Sequence, residues 1–317
     1  MPFDFAHGPD GSNSLTVPER SRRERADQGH VPALVEEVLK LLEVRPDGTY
    51  IDATLGAGGH AEEILKRLGS GKLLGFDRDP AALARASERL KKYGEKLMVM
   101  EGNFAQIATL HAQSGLPPAA GVIADLGVSS LQLEDAERGF SFSLPGPLDM
   151  RMGPDAALTA GELVNRTSER NLADTIFKFG EERHSRRIAR AIVKARPIRT
   201  TTELAQVVTR AIPFRAGLHQ IHPATRTFMA LRLAVNREVE NLEGFLSRVL
   251  AVLAVDGRLA MISFHSLEDR LVKRAFADWS RDGRVRLLTR KPVCPSDREA
   301  RENPRARSAK LRAAEKL

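Results

Sequence analysis

The sequence predicts an α/β fold: a doubly wound, Rossmann-like parallel sheet with a small all-helical domain inserted late in the chain. Helical segments separate five segments that are typical of strands, at 49–54, 72–77, 97–101, 121–125 and 258–264. Alternation of strands and helices favours an open parallel sheet with helices on both faces. About 130 residues separate the last two strands, whereas one crossover needs roughly 30. We therefore expect an inserted domain in that interval.

A glycine-rich loop follows the first predicted strand. The loop is LGAGGH at 55–60, residues 61–68 have helical spacing, and the second strand ends in Asp77. Glycines let a ligand approach the backbone closely, and an acid about 20 residues after the loop can accept both hydroxyls of a ribose. Strand, loop, helix and acid together indicate a site for a cofactor that contains adenosine.

The order of the glycines bears on the identity of this cofactor. A nicotinamide site would have the pattern G-x-G-x-x-G, whereas this loop has Gly56, Gly58 and Gly59 followed by His60. Asp52 lies just before the loop, where a carboxylate can bind an ammonium group. S-adenosylmethionine has such a group and NAD lacks it. The loop therefore favours S-adenosylmethionine, with NAD as the alternative.

The composition is typical of a soluble globular protein, with 42% hydrophobic and 28% charged residues. The single cysteine, Cys294, excludes an intrachain disulfide and a cysteine-cluster zinc site, so a reducing cytoplasm is the expected compartment. The histidines lack metal-ligand spacing, and no apolar run approaches the roughly 20 residues that span a bilayer. We therefore expect no metal and no membrane contact. Residues 1–28 have the composition of a disordered lead-in.

The net charge of +8 lies mostly near the C-terminus, because residues 281–317 contain 12 Lys or Arg and 5 Asp or Glu. Such a segment indicates either a solvated basic tail or contact with nucleic-acid phosphates. The interval between the last two strands is also rich in arginine. Helices are predicted there at 171–179, 181–194 and 202–212, and the arginines include Arg183, Arg186, Arg187, Arg190, Arg196 and Arg199. We expect this helical insertion to cover the active edge of the sheet.

Several polar or aromatic residues follow the predicted strands directly. Asp77 ends the second strand and Asp125 the fourth, while Phe104 and His265 follow the third and fifth. Ligands of open parallel sheets bind outside the carboxyl ends of the strands, so these residues should meet at one site. His265 and Ser266 also admit a hydrolase interpretation, which is not favoured because no G-x-S-x-G elbow precedes the serine.

Seven long motifs, in one order along the chain, resemble the RsmH family, also called MraW. They are YIDATLGAGGHAEEIL, GFDRDPAAL, IADLGVSSLQLEDAERGFSFSLPGPLDMRM, GEERHSRRIARAIV, HPATRTFMALRLAVNREVENLE, GRLAMISFHSLEDRLVK and ENPRARSAKLR. The resemblance implies a class I S-adenosylmethionine-dependent methyltransferase with a helical insertion. It also implies N(4)-methylation of a cytidine in the decoding region of bacterial 16S rRNA, cytidine 1402 in standard numbering.

We expect a methyltransferase domain at 29–135 and 222–317, with an RNA-recognition insertion at 136–221. The resemblance implies that seven residues contact S-adenosylmethionine: Gly58, Gly59, His60, Asp77, Phe104, Asp125 and Gln132. The expected partner is 16S rRNA, within the small ribosomal subunit.

Asp125 is also the candidate catalytic residue. Attack by the cytosine amine builds positive charge on its nitrogen, which a nearby carboxylate stabilises; simple cofactor binding by Asp125 is the alternative. The base must be presented unstacked, and Phe140 or Phe142 is a candidate to stack on it. Five arginines are expected to hold RNA phosphates: Arg138, Arg151, Arg226, Arg305 and Arg307.

Two other functions remain as alternatives. A nicotinamide-dependent oxidoreductase would use the same kind of loop, but the third glycine of its fingerprint is missing. A non-enzymatic rRNA-binding assembly factor would use the basic segments alone. Titration with NADH tests the first alternative, and methyl transfer to RNA tests the second.

Overall fold

Seven strands form one sheet at the centre of the computed structural model, which describes residues 32–212 and 221–317. The predicted lead-in at 1–28 lies outside these ranges. The strands are β1 Thr49–Asp52, β2 Lys72–Asp77, β3 Leu97–Glu101, β4 Ala119–Asp125, β5 Leu253–Ser263, β6 Val285–Leu287 and β7 Lys310–Lys316. Their order is β3-β2-β1-β4-β5-β7-β6. β1 to β5 are parallel and β7 is antiparallel to both its neighbours, which confirms the doubly wound α/β fold.

Thirteen α-helices of the described residues flank the sheet or build the insertion. They are α1 Val35–Leu42, α2 Gly59–Leu65, α3 Pro80–Leu90, α4 Ile107–Ser114, α5 Ser130–Glu134, α6 Ala160–Arg166, α7 Glu169–Gly180, α8 Ser185–Ala195, α9 Thr201–Ala211, α10 Ala224–Val235, α11 Glu238–Val252, α12 Ser266–Arg281 and α13 Asp297–Glu302. None of these helices is long and apolar enough to cross a membrane.

Apolar side chains fill both faces of the sheet, because alternate residues of a strand point to opposite sides. On one face, Phe76 of β2 is fully buried in a core that includes Phe245 of α11. On the other face, Tyr50 of β1 lies in a core that includes Leu65 of α2 and Leu42 of α1. The two layers hold the carboxyl ends of β1, β2 and β4 side by side, where the candidate site lies.

The last residues of the basic C-terminal segment form strand β7 instead of a free tail. Leu311 pairs with Ile262 in the β5–β7 ladder, next to Arg312. Arg312 is only 6% exposed, and its Nε donates to Oδ1 of Asp269 at 2.7 Å. Lys310 lies 3.5 Å from the other carboxylate oxygen of Asp269. These two cations therefore serve the fold.

The inserted helices have a core of their own. Ile176 of α7, Ile188 of α8 and Leu204 of α9 are fully buried in it, together with Leu231 of α10. The predicted boundary at 221/222 assigns α10 to the methyltransferase domain. Packing places α10 with the insertion, because its buried apolar side faces those helices. The domain limits themselves stay a prediction.

Asn236 lies at a break between two consecutive helices. α10 ends at Val235, Arg237 adopts a left-handed conformation with φ 50°, and α11 begins at Glu238. The Asn236 side chain accepts the N–H of Met152 at 2.8 Å and donates to the carbonyl of Met150 at 2.7 Å. The break therefore anchors residues 136–155, a segment we call the lid.

Candidate functional site

The glycine loop between β1 and α2 forms the floor of the site. Gly56 and Gly58 have φ values of 51° and 78°, which residues other than glycine rarely adopt. A Cβ on Gly58 would come within 2.8 Å of Leu90. The N–H of Gly56 donates to Oδ2 of Asp77 at 2.8 Å, so the loop and the end of β2 are fixed together.

Asp77 ends β2 with a largely enclosed carboxylate. Its Oδ1 accepts the N–H of Asp79 at 2.9 Å, while its Oδ2 accepts the Gly56 N–H. Burial raises the pKa of Asp77, and these backbone donors oppose that shift. A carboxylate oxygen has two lone pairs, so Asp77 keeps acceptor capacity for the hydroxyls of a ribose.

Asp52, His60 and Asp125 come together below the loop, at the ends of β1 and β4. Asp52 is 2% exposed and His60 is 6% exposed. Nε2 of His60 lies 3.6 Å from Oδ2 of Asp125. Burial raises the pKa of Asp52 from 3.8 to about 7; the charges of Asp125 and Asp77 add to the rise, while His60 and the Thr54 N–H oppose it.

Asp125 is held by its backbone and leaves its side chain available. Its N–H donates to the hydroxyl of Thr54 at 2.6 Å. Among the residues that the structure describes, neither Oδ1 of Asp125 nor Nε2 of His60 has a hydrogen-bond partner, although both atoms are buried. Such unsatisfied buried atoms are uncommon and are typical of groups that await a ligand.

Phe104 lies at the end of β3, beside the same edge of the sheet. Its ring centroid is 5.3 Å from that of Phe245, so the side chain is braced against the core. Asn103 caps the short 3₁₀ helix that contains Phe104, because its side chain accepts the N–H of Ala105. The position suits an apolar contact with an adenine.

Both polar groups of the Gln132 side chain form hydrogen bonds within the protein, and its contact with the cofactor stays a prediction. Its Oε1 accepts the N–H of Ser129 in a capping box, and its Nε2 donates to Asp79 at 2.8 Å. Arg138 donates to the same Asp79 oxygen at 2.9 Å and to the carbonyls of Arg151 and Met152. Asp79 therefore joins α5 and the lid to the cofactor side of the sheet.

Two of the seven residues expected to bind RNA make contacts within the protein. Nη2 of Arg138 donates to Asp79 and to two carbonyls, and its phosphate contact stays a prediction. Phe140 is 7% exposed within the core of the insertion and cannot stack on a base. Phe142 is half-buried between His222 and Phe228, each 4.8 Å away between ring centroids. It lines an open cavity of ≈ 400 Å³ on the insertion.

The other four arginines are exposed, and they differ in whether they form ion pairs. Arg151 forms an ion pair with Asp149 at 2.7 Å, and Arg305 forms one with Glu134 at 2.9 Å. Arg226 lies 3.9 Å from Glu182. Arg307 is exposed and has no ion-pair partner within 32–212 and 221–317. These side chains remain candidates for phosphate contacts.

Helix α8 presents the most concentrated basic surface on the insertion. Ile188, Ala189 and Ile192 are buried on one side of this helix. Arg186, Arg187, Arg190 and Lys194 are exposed on the other side. Arg190 alone of these cations has an ion-pair partner in the part of the chain that the structure describes, Glu169 at 3.4 Å. The sequence indicated an Arg-rich insertion, and the helical spacing of these cations could have identified the face.

The site fits an adenosine cofactor with a cationic methionine end. The glycine loop leaves backbone accessible, Asp77 supplies ribose acceptors, and Asp52 and Asp125 supply negative charge beside an unsatisfied buried oxygen. No group of three or more His, Cys, Asp or Glu residues in the described ranges could hold a metal ion. The carboxylates of Asp52 and Asp125 suit the cationic end of a sulfonium compound.

This fold and site define a class I methyltransferase: a parallel sheet with one antiparallel strand inserted near its edge, and a glycine loop faced by acids. Residues 27–317 match the MraW methylase family, and the chain belongs to that family. Membership of a methylase family confirms the methyl donor, S-adenosylmethionine, over the nicotinamide alternative.

Curated relatives match over nearly their whole length. The ribosomal RNA small subunit methyltransferase H of Syntrophobacter fumaroxidans is 48% identical over 306 residues, 90% of this chain and 96% of that protein. The protein of the same name from Koribacter versatilis is 50% identical over 294 residues, 90% of this chain and 93% of that protein. A solved SAM-dependent methyltransferase from Aquifex aeolicus is similar at 13% identity with a TM-score of 0.42, covering 95% of this chain and 100% of that chain.

Proposed function

We propose that this protein transfers a methyl group from S-adenosylmethionine to the N(4) amine of a cytidine in bacterial 16S rRNA, cytidine 1402. The names of the relatives support ribosomal RNA of the small subunit as the substrate. The observation that supports an exocyclic amine is Asp125, whose side chain ends β4 and is 26% exposed. Its carboxylate can accept a hydrogen bond from an amine while that amine reacts.

The difficulty of this reaction lies in the nucleophile. The lone pair of the cytosine amine is delocalised into the ring, and attack places positive charge on the nitrogen. S-adenosylmethionine supplies a methyl group that is already electrophilic. Asp125 would stabilise the developing charge, because a fixed carboxylate in a partly enclosed site needs little reorganisation. Asp125 is positioned for this by Thr54, which fixes its backbone N–H.

The cofactor would be held by residues at the ends of four elements. Gly58 and Gly59 offer their backbone, Asp77 accepts the ribose hydroxyls and Phe104 contacts the adenine. Gln132 would act indirectly, since both of its polar groups bind protein. The family resemblance implies these contacts, and the positions of the residues around the loop support them.

The RNA would lie across the insertion and the lid. α8 offers a row of exposed cations, and Arg151, Arg226, Arg305 and Arg307 lie on other exposed surfaces. Phosphate contacts of this kind position an RNA without reading its sequence. The half-buried Phe142 remains a candidate to stack on an unpaired base.

Labelled methyl transfer tests the proposal. Small subunits and free 16S rRNA that lack the modification are incubated with the protein and labelled S-adenosylmethionine, and the modified nucleotide is mapped. We expect N(4)-methylation of one cytidine. Methylation of another base or atom would contradict the specificity, and RNA binding without methyl transfer would support the assembly-factor alternative.

A further inference from the structure

The turn after β2 lies between the expected cofactor site and the lid. Asp77 ends β2, and its carboxylate is expected to bind the ribose. The next two residues, Arg78 and Asp79, hold the lid instead. Sequence resemblance implied a role for Asp77 and none for the other two. Three consecutive residues thus connect the part of the molecule proposed to bind the cofactor with a part proposed to contact RNA.

Asp79 is a buried carboxylate, 3% exposed, that accepts hydrogen bonds from several elements. Its Oδ2 accepts Nε2 of Gln132 at 2.8 Å and Nη2 of Arg138 at 2.9 Å. Its Oδ1 accepts the N–H of Ala81 and so caps α3. Its own N–H donates to Oδ1 of Asp77 at 2.9 Å. Because hydrogen bonds between charged groups are stronger than neutral ones, the bond to Arg138 is a strong anchor of the lid.

Arg138 connects Asp79 to the other end of the lid. Its Nη2 also donates to the carbonyls of Arg151 and Met152, at 3.0 and 3.1 Å. Its own carbonyl accepts the N–H of Met150 at 3.0 Å. Asp79 therefore holds the first and the last residues of the lid through one guanidinium.

The lid also contacts the backbone of the same turn. A Cβ on Gly153 would come within 2.3 Å of the carbonyl oxygen of Arg78. Asp155 accepts Nη2 of Arg78 through Oδ1 at 2.6 Å, and Nδ2 of Asn103 through Oδ2 at 3.2 Å. Asn103 directly precedes Phe104, the expected adenine contact. The last residues of the lid therefore lie beside the adenosine end of the expected cofactor site.

We propose that Asp79 is a positioning residue through which the cofactor and RNA strengthen each other's binding. This inference rests on the proposed function, because it takes RNA as the ligand of the lid. A ligand shifts a segment only if it binds one position of that segment more tightly than another. A ribose on Asp77 provides this preference, because it fixes the carboxylate to which the N–H of Asp79 is bonded. By linkage, RNA must tighten cofactor binding by the same factor as the cofactor tightens RNA binding.

The first test observes the lid without RNA. Hydrogen exchange at the backbone N–H groups of Met150 and Met152, both hydrogen-bonded, is followed by mass spectrometry with and without S-adenosylhomocysteine. We expect the compound to slow this exchange in the wild type. Exchange that does not respond to S-adenosylhomocysteine would overturn the proposal, whether or not the protein methylates rRNA.

Asp79→Asn should abolish this response. The asparagine has one acceptor oxygen, so it cannot serve both the cap of α3 and the two donors from Gln132 and Arg138. Asparagine is as good a helix cap as aspartate, which favours a folded variant. Calorimetric titration with S-adenosylhomocysteine alone checks the fold, and the affinity should stay close to the wild-type value because Asp79 does not contact the cofactor.

The second test measures the coupling itself. Fluorescence anisotropy gives the affinity for a labelled 16S rRNA fragment with and without saturating S-adenosylhomocysteine. In the wild type we expect RNA to bind about fivefold tighter with the compound, the lower end of allosteric coupling. In Asp79→Asn we expect equal RNA affinities. In methylation assays this variant should have a raised KM for RNA and a rate close to wild type when RNA and cofactor both saturate.

Glu181→Gln is the matched control. Glu181 likewise accepts from one arginine and one neutral side chain, Arg270 and Ser266, and joins the insertion to α12. α12 follows β5, which is three places from β2 in the sheet. This variant should therefore keep the effect of S-adenosylhomocysteine on RNA affinity.

Two outcomes of the RNA titrations would overturn the proposal. Coupling retained in Asp79→Asn would mean that Asp79 serves the fold alone. Coupling lost equally in both variants would mean that any loosening of the insertion abolishes it. If the wild type does not bind the rRNA fragment at all, the proposed function fails, while hydrogen exchange still decides whether the cofactor fixes the lid through Asp79.

Discussion

At the scale of one residue, the buried carboxyl group of Asp52 lowers the free energy of unfolding at neutral pH. Its pKa is raised from 3.8 to about 7, first by burial, so the folded state disfavours the ionised carboxylate. Between these two values the unfolded chain releases the proton and the folded chain keeps it. The free energy of unfolding therefore falls as pH rises from about 4 to 7, and the loss is complete above the folded pKa.

Asp52→Asn should remove this pH dependence. The amide resembles a protonated carboxyl group and does not ionise, so the variant gains stability relative to wild type as pH rises. The gain between pH 4 and 8 should approach about 4 kcal/mol, the equivalent of the pKa shift. Urea unfolding of the cofactor-free protein at both pH values checks this. An equal difference at pH 4 and pH 8 would contradict it.

Asp77→Asn should weaken binding of S-adenosylmethionine by tenfold or more. The carboxylate is expected to accept both ribose hydroxyls, and a hydrogen bond to a charged group contributes roughly 1.5–3 kcal/mol. The amide keeps one acceptor for the Gly56 N–H, which limits damage to the loop. Calorimetric titration measures the change, and circular dichroism serves as the folding control. Wild-type affinity would remove the ribose contact from Asp77.

Asp125→Asn should lower turnover by about 10²–10³, the scale for one preorganised electrostatic contact. The substitution keeps the shape of the side chain and the backbone bond to Thr54. Cofactor affinity should fall less than turnover. Single-turnover methylation at saturating cofactor makes the comparison. Normal turnover with weak cofactor binding would reduce Asp125 to a binding residue.

The sequence predicted that Asp77 and Asp125 lie at one site because each ends a parallel strand. The carboxyl ends of parallel strands lie at the same edge of a sheet. It did not identify Asp79 as the partner of Gln132 and Arg138. Those contacts join residues 53 and 59 positions apart, and no local periodicity encodes such a pairing. Burial of a single carboxylate is likewise a property of the assembled fold.

At the scale of elements, the alternating strands and helices were predictable from the sequence. The strand that joins the sheet by long-range pairing was not. β2 and β3 have the bounds expected from their apolar runs, Lys72–Asp77 and Leu97–Glu101. β7 contains the cations Lys310, Arg312 and Lys316. In the sequence these cations make the segment resemble a basic tail. It becomes a strand because Asp269 pairs with its cations and β5 offers an open edge.

The lid is an element without regular structure that the fold nevertheless fixes. Arg138 ties it to Asp79, Asn236 ties it to α10, and Arg78 binds Asp155 at 2.6 Å. These anchors lie far from the lid in sequence, so no local sequence pattern identifies them. Because the anchors lie on both the sheet and the insertion, the lid couples cofactor-binding elements to the helices that are proposed to hold RNA.

At the scale of the whole molecule, the net charge of +8 predicts that the protein attracts RNA. It does not predict which surface the RNA contacts. Many cations are consumed internally, as Arg138 and Arg312 show. Three cations of α8, Arg186, Arg187 and Lys194, are exposed without an ion-pair partner in the described residues. Three on or just after α12, Lys273, Arg274 and Arg284, are equally exposed. The two sets carry the same charge on different elements.

Replacing the three α8 cations with glutamine should therefore weaken RNA binding more than the same change in the α12 set. Each lost phosphate contact on single-stranded RNA should reduce the slope of log affinity against log salt by up to about 0.7. The α12 set lowers the net charge equally, so it controls for long-range attraction. Fluorescence anisotropy with labelled RNA between 50 and about 200 mM salt gives both slopes. The methylated nucleotide should stay the same, because phosphate contacts position and base contacts specify. Equal slopes for the two variants would mean that charge attracts the RNA without contact at α8.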